Sequence, residues 1–277
     1  MPSWLLRPLP PSGISKEVNE YLKSRCVETV CANSRCPNMC ECYSTGNVSF
    51  LILGNVCTRN CLFCAVKKGS PREINRSEPE TIAGAVKKLR LPYAVVTSVT
   101  RDDLTDGGAG HYRAVVKAIK RVSPLTTVEV LTPDFSGSME AVELVTQSGV
   151  DVFSHNMETV ERLYSRIRPL SNYFGSLLVL ACAASFKKVP VKSGFMVGLG
   201  ETEEEIIRLM KDIRETGCDL LTIGQYLRPK GSPLKVEEYI RPEGFESLKA
   251  KACEIGFKKV ASGTFVRSSY RADELLT

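Results

Sequence analysis

Short runs of apolar and β-branched residues recur along this chain, at 48–53, 94–99, 127–131, 150–153, 191–197 and 220–223. Each has the length and composition of a strand buried on both faces. Between them lie stretches with apolar positions at helical spacing, 78–90, 110–122, 138–147, 173–186 and 203–216, several ending at Gly or Pro. Such alternation predicts a parallel sheet, because a right-handed crossover returns each strand beside its predecessor. Six units give an α/β fold, a partial (β/α)6 TIM-type barrel, whose chemistry belongs on the loops at the C-terminal ends of the strands. Residues 1–47, Pro-rich and Cys-rich around a helix at 16–25, read as an N-terminal extension to a barrel at 48–235. Residues 236–277, with a helix at 242–256 and a short strand at 258–261, read as a C-terminal extension.

Composition narrows the class. A chain of 277 residues with 43% hydrophobic content can bury one large core. Its 37 Lys and Arg against 31 Asp and Glu leave +6, dispersed along the sequence. That is too mild to indicate nucleic acid and suits an acidic protein partner as well. No apolar run is long enough to span a bilayer, and MPSWLLRPLPPSG has no secretory or organellar pattern, so a soluble cytoplasmic protein with no membrane partner is expected. Eleven cysteines, concentrated between Cys26 and Cys64, therefore point to metal ligation in a reducing compartment rather than to disulfides.

Directly after the first strand comes Cys57-Thr58-Arg59-Asn60-Cys61-Leu62-Phe63-Cys64, a C-x3-C-x2-C loop where catalytic loops belong. Three thiolates can hold three irons of a four-iron cluster and leave the fourth open to a small chelating molecule. A zinc site is the alternative; it usually takes four ligands, and this loop supplies three with no nearby His. The triplet resembles the hallmark of the radical S-adenosylmethionine superfamily, whose fold is a partial barrel. That likeness places Phe63 beside the adenine. A further match is Gly194-Phe195-Met196-Val197-Gly198-Leu199-Gly200-Glu201, the superfamily's G-x-[hydrophobic]-x-G-x-x-E stretch on the fifth strand, which brings in Gly198 and Glu201. The same segment is a good helix start, with Thr202 capping and Glu205 completing a capping box. The two readings use different atoms and are compatible.

Upstream, Cys31, Cys36 and Cys42 form a separate C-x4-C-x5-C, and the C-terminal region carries Arg267-Ser268-Ser269-Tyr270. Together these resemble the lipoyl synthase family, in which such a triplet and the second tail serine hold an auxiliary cluster. The likeness runs on through 97–103, 106–111, 129–135, 155–159, 166–169 and 222–227. It implies two 4Fe-4S clusters, one on Cys57, Cys61 and Cys64, the other on Cys31, Cys36, Cys42 and Ser269, with Ser268 as the alternative oxygen ligand. It also implies S-adenosyl-L-methionine as cofactor, with Asn156, Gln225 and Tyr226 at strand ends as further neighbours. The activity implied is insertion of two sulfur atoms at C6 and C8 of a protein-bound octanoyl chain, sulfur coming from the auxiliary cluster. A biotin-synthase-like sulfur transferase is the runner-up, and the N-terminal triplet and tail serine argue against it. Implied partners are an octanoylated lipoyl carrier domain or glycine-cleavage H protein, a ferredoxin or flavodoxin reductant, and an iron–sulfur carrier that rebuilds the cluster.

The chain departs from the family pattern at Cys40, where a small residue is usual, at Tyr43, where Trp is usual, and in 227–234, which lacks the histidines often found there. Cys40 is expected to be a spare thiol. Cys182, Cys218 and Cys253 read as small buried hydrophobes and Cys26 as structural. His111 reads as an ordinary core or loop histidine, whereas His155 stands equally well as a core group or as one that reaches ribose or substrate. Arg166 and Arg168 either meet an acidic carrier or a carboxylate, or are solvated charges.

Overall fold

The computed structural model describes residues 2–6 and 13–276; the proline-rich residues 7–12 of the expected N-terminal extension lie outside the described residues. The chain packs as two units, one of Leu9–Arg59 and Ala65–Phe153, the other of Met1–Pro8, Asn60–Cys64 and Ser154–Thr277.

The first unit begins with three helices, α1 (Gly13–Ser24), α2 (Val30–Asn33) and α3 (Met39–Ser44). Then come β1 (Asn47–Ile52), a two-residue parallel ladder of β2 (Val56–Cys57) and β3 (Lys67–Lys68), α4 (Glu78–Leu89), β4 (Tyr93–Ser98), α5 (Ala109–Val122), β5 (Thr127–Leu131) and α6 (Met139–Thr146). Strands β1, β4 and β5 pair in parallel, from Asn47 opposite Tyr93 to Ile52 opposite Ser98, and from Tyr93 opposite Thr127 to Thr97 opposite Leu131. Every residue of β1 is buried, as the unbroken apolar run requires of a strand covered on both faces. Ile82, Ala83 and Val86 of α4 and Tyr112, Val115, Val116 and Ile119 of α5 supply the apolar helix faces of this core. Pro79 opens α4, Arg90 closes it in the left-handed region, and the Ser138 hydroxyl caps α6 by accepting the Ala141 N–H.

Strand β6 (Val152–Ser154) is where the chain leaves the first unit. At its entry the Asp151 N–H donates to Val128 O, and the Asp151 carboxylate accepts from Val128 N and Lys120 Nζ. At its exit the His155 N–H donates to Lys192 O.

The second unit continues with α7 (Glu161–Ile167), α8 (Tyr173–Ser185), β7 (Val191–Val197), α9 (Glu203–Glu215), β8 (Leu220–Gln225), α10 (Pro242–Ile255) and β9 (Lys259–Gly263). Its strands are parallel as well, from Lys192 opposite Leu220 to Val197 opposite Gln225, and from Leu220 opposite Lys259 to Gly224 opposite Gly263. Thr202 and Glu205 form the anticipated capping box on α9. Gly256, at φ +104°, ends α10 in a conformation open to glycine.

The expected α/β fold is therefore present: all six expected strands form, alternate with helices and pair in parallel where their registers are described, and the short strand after 256 forms as β9. The helices α2, α3 and α7, of four to seven residues, were not anticipated. A helix of one or two turns is too short to show a 3.6-residue period, and its stability comes from packing.

Candidate functional site

The C-x3-C-x2-C loop is where the chain passes between units: Cys57 belongs to the first, Cys61 and Cys64 to the second. All three are partly exposed, and none of the chain's eleven cysteines forms a disulfide.

In the first unit the loop is fixed by charge. Cys57 Sγ lies at 3.4 Å from the Arg59 backbone N and at 3.3 Å from that of Thr100, both oriented as donors. Two N–H dipoles aimed at a sulfur tune the potential of any cluster bound through it. Arg59 is buried, and its guanidinium grips the Asp102 carboxylate through Nε and Nη2 and the Asp134 carboxylate through Nη1 at 2.6 Å. Burial pulls the Arg59 pKa down, but the hydrogen bonds and charges of the two aspartates more than offset it and leave it raised. The hydrogen bonds from Arg59 hold Asp102 down at about 2. The Thr58 hydroxyl donates to Asp102 Oδ2, and the Asp102 N–H returns a bond to Thr58 Oγ1. The segments after β4 and β5 are thereby tied to the one after β2. Beneath them, Leu53 sits at φ +65° with its N–H on Glu78 Oε2, and the same oxygen is 2.6 Å from His111 Nε2. His111 is thus a bracing histidine, as the sequence suggested.

The upstream triplet is built differently. Thr29 caps α2 by accepting the Ala32 N–H, and its hydroxyl is 2.8 Å from the buried Tyr43 hydroxyl. Cys31 lies in α2 and Cys42 in α3; the Cys36 N–H donates to Cys31 O and the Cys42 N–H to Asn38 O. Burial, with the charge of Cys36 second, pushes the Cys31 thiol up to about 11. Burial also raises the Tyr43 phenol, and the charges of Cys31, Cys36 and Cys42 add to it. The charges of all three cysteines of the C-x4-C-x5-C spacing thus act on one phenol. Cys40 is partly exposed on α3, where its carbonyl accepts the Ser44 hydroxyl.

In the second unit, the Cys64 N–H donates to Cys61 O, the Leu62 N–H to Ile167 O, and the Ser232 hydroxyl to Leu62 O. Tyr226 is buried, with its hydroxyl on Leu234 O. Gln225 is also buried; its Nε2 lies 3.0 Å from Glu238 O and its Oε1 accepts from Ile240 N. Gly198, at φ +94°, leaves room for this, since a β-carbon there would stand 2.3 Å from Gln225 Nε2. Both oxygens of Glu201 accept backbone N–H groups, from Gly198 and Leu199. These four residues therefore brace the ends of β7 and β8 with their own polar groups. Phe63 is partly exposed on the cysteine loop.

Asn156 follows β6. Its Nδ2 donates to Glu158 Oε1 and to Ser268 Oγ, while its buried Oδ1 has no partner among the described residues. Desolvation raises the Glu158 carboxyl, with Arg168, Asn156 and Arg267 pulling the other way. Arg168 is buried, donating to Asn156 O and to the Tyr164 hydroxyl; Arg166 is exposed. Ser269 is partly exposed in the tail. Cys218 is a buried thiol raised to about 12 by desolvation, Cys182 is partly exposed, and Cys26 and Cys253 are exposed. Burial as a small hydrophobe thus holds for Cys218 and fails for Cys253, which lies on the outer face of α10.

Two functional features went unread in the sequence. The Arg59 clamp had a signal, an Arg inside the cysteine loop and an Asp after each of the next two strands. Lys192 had one as well, a cation inside an apolar strand, and it is buried. Among the described residues no three His, Cys, Asp or Glu converge tightly enough for a single metal ion. A cluster asks for a wider arrangement, because each thiolate binds its own iron.

Residues 51–213 match the Radical SAM superfamily. Solved structures share the fold: Streptococcus suis SuiB bound to S-adenosylmethionine aligns with a TM-score of 0.61 at 12% identity, over 85% of this chain and 56% of that one. The hydrogenase maturase HydG aligns at 0.60 and 13%, over 91% and 68%. Fold and cysteine loop together define a radical S-adenosylmethionine enzyme. The lipoyl synthase of Caldicellulosiruptor saccharolyticus is 51% identical over 274 residues, 99% of this chain and 96% of that protein. That of Caldanaerobacter subterraneus subsp. tengcongensis is 49% identical over 264 residues, 94% and 93% of the two chains. The chain belongs to the lipoyl synthase family: it is a radical sulfurtransferase of lipoate biosynthesis that uses a 4Fe-4S cluster and S-adenosyl-L-methionine. Among the described residues no helix is long and apolar enough to cross a membrane.

Proposed function

We propose that this enzyme inserts two sulfur atoms at C6 and C8 of an octanoyl chain attached to a carrier lysine, and that the sulfur comes from a second 4Fe-4S cluster. Cys57, Cys61 and Cys64 hold the first cluster, and Cys31, Cys36, Cys42 and Ser269 hold the second, which is a substrate of the reaction. With bound S-adenosylmethionine the first cluster supplies a 5′-deoxyadenosyl radical, which an unactivated alkyl C–H bond requires because no side-chain base can deprotonate it. The protein's own residues provide position and electrostatics. Arg59, Asp102 and Asp134 hold the Cys57 end of the loop, and the N–H groups of Arg59 and Thr100 stabilise its sulfur.

For the cofactor we propose Phe63, Asn156, Gly198, Glu201, Gln225 and Tyr226. Gln225 and Tyr226 act by holding 226–240 in place, since their polar atoms are already engaged. Asn156 keeps an acceptor oxygen for a cofactor hydroxyl. The carrier is a lipoyl domain or glycine-cleavage H protein, the reductant a ferredoxin or flavodoxin, and an iron–sulfur carrier restores the spent cluster. The expected division, an extension at 1–47, the catalytic region at 48–235 and a tail at 236–277, is part of the same proposal.

The observation that best supports two clusters is that Cys31, Cys36 and Cys42 form a second ligand spacing apart from the loop triplet, with Cys31 and Cys42 buried on the neighbouring short helices α2 and α3. Anaerobic reconstitution tests it. The full chain should bind about eight irons and eight sulfides, falling to about four when Cys31, Cys36 and Cys42 are replaced by Ala. Only the full chain should convert an octanoylated carrier domain to its lipoyl form by mass spectrometry. Unchanged iron in the triple variant refutes the second cluster.

A further inference from the structure

The C-terminal tail folds back over two strands of the second unit, and those strands carry glycine where it lands. A β-carbon on Gly224 of β8 would stand 2.2 Å from the Val266 carbonyl oxygen. On Gly194 of β7 it would stand 2.2 Å from Thr222 Oγ1, 3.1 Å from Asn156 Oδ1 and 3.3 Å from Ser268 Oγ. Neither glycine has a left-handed φ, so the requirement is space and not conformation. At Gly224 this is a close approach of one backbone to another, a recognised reason for glycine within a strand. At Gly194 the space is taken by side chains, the Thr222 hydroxyl nearest and the tail's Ser268 hydroxyl behind it.

Polar contacts then fix the tail in that space. Lys192, buried on β7, donates its ammonium to Ser268 O at 2.8 Å, and Asn156 Nδ2 donates to Ser268 Oγ at 2.5 Å. The Val266 N–H donates to Gly263 O, and the Tyr270 N–H donates to Arg267 O and closes a turn. Beyond the turn, Ala272 and Leu275 are buried. The two tail serines are therefore unequal. Ser268 is used at both its hydroxyl and its carbonyl, whereas Ser269 is partly exposed and none of these anchors employs its hydroxyl.

We propose that Gly194, Gly224, Lys192 and Ser268 are positioning residues that hold Ser269 in one fixed place on the second unit. The inference rests on the assignment of Ser269 as a ligand and adds the device that makes such a ligand workable. A neutral hydroxyl is a poor donor to iron in a sulfide cluster, and water competes for the same place. It holds the site only if its ordering entropy has been removed beforehand, as in any preorganised contact. A charge-assisted bond from a buried lysine, with bare strand backbone beneath, supplies that order without strengthening the Fe–O bond itself. The ligand is held by its tail and stays easy to release at its oxygen.

The test counts auxiliary iron alone, in the full chain carrying Cys57→Ala, Cys61→Ala and Cys64→Ala, by the rate of iron transfer to a chelator after anaerobic reconstitution. Ser269→Ala, Gly224→Ala and Lys192→Met should each speed release about tenfold or more, the usual cost of losing a residue that orients a metal ligand. Combining Ser269→Ala with Gly224→Ala should add nothing further, because both remove the same ligand. Lys192→Arg should restore most of the slow rate. Tryptic cleavage after Arg267 gives a readout independent of iron: faster in Gly224→Ala and Lys192→Met, unchanged in Ser269→Ala. Parent rates of both iron release and cleavage in Gly224→Ala and Lys192→Met, with fast release in Ser269→Ala, would overturn the anchor and leave the ligand standing. A parent rate in Ser269→Ala overturns the ligand itself, and the anchor with it. Lys192→Met adds no bulk, so it decides the matter should Gly224→Ala fail to fold.

Discussion

The two cysteine groups of this chain are built in opposite ways. Cys57 stands in a partly exposed loop stiffened by charge, with two backbone N–H groups on its sulfur and a buried Arg59 locked to Asp102 and Asp134. Cys31 and Cys42 are buried in short helices beside Tyr43, and burial keeps the Cys31 thiol protonated far above the ordinary range. The first environment gives its sulfur two fixed hydrogen bonds and a rigid geometry, as a cluster used repeatedly for electron transfer requires. The second disfavours the Cys31 thiolate, so iron must displace its proton, and loss of iron returns that thiol to a stable neutral state. On the proposed reading, that contrast separates a permanent cluster from a consumable one.

The comparison breaks most sharply through the cysteines themselves. Cys57→Ala should abolish both 5′-deoxyadenosine formation and lipoyl formation. Replacement of Cys31, Cys36 and Cys42 by Ala should abolish only the second, as chromatography of nucleoside and mass analysis of carrier will show. Next in size is Arg59→Leu, which leaves Asp102 and Asp134 without their cation and should cost about 3 kcal/mol in urea unfolding. Arg59→Lys should fall between, because an ammonium cannot span both carboxylates. Ser269→Cys should give a less labile auxiliary cluster and slower sulfur transfer, with S-adenosylmethionine cleavage unchanged; unaltered lability would sink the idea that the oxygen ligand is a release point.

A pH effect of smaller size follows from Cys31. Its folded pKa is raised, so the unfolded chain ionises first as pH increases. Cluster-free protein should therefore hold the full contribution below about 9 and lose it progressively between about 9 and about 11, as seen in urea midpoints across that range. Cys31→Ser should flatten this slope. The smallest effect expected is that of Tyr43→Phe, which removes the partner of the Thr29 hydroxyl at a cost of about 1 kcal/mol, with iron content unchanged.

The sequence by itself determined the strands, because continuous Val, Ile and Leu runs such as those of β1 and β4 fit only a sheet covered on both faces. It also carried the two cysteine spacings, C-x4-C-x5-C and C-x3-C-x2-C, on which the proposed cluster ligands rest. What it could not display were pairings between residues far apart in number. Arg59 with Asp134, Lys192 with the Ser268 carbonyl, and Gly224 beneath Val266 join positions 75, 76 and 42 residues apart. Only tertiary structure decided these, because a buried charge, a carbonyl or a missing side chain has no meaning until its neighbour across the fold is in place.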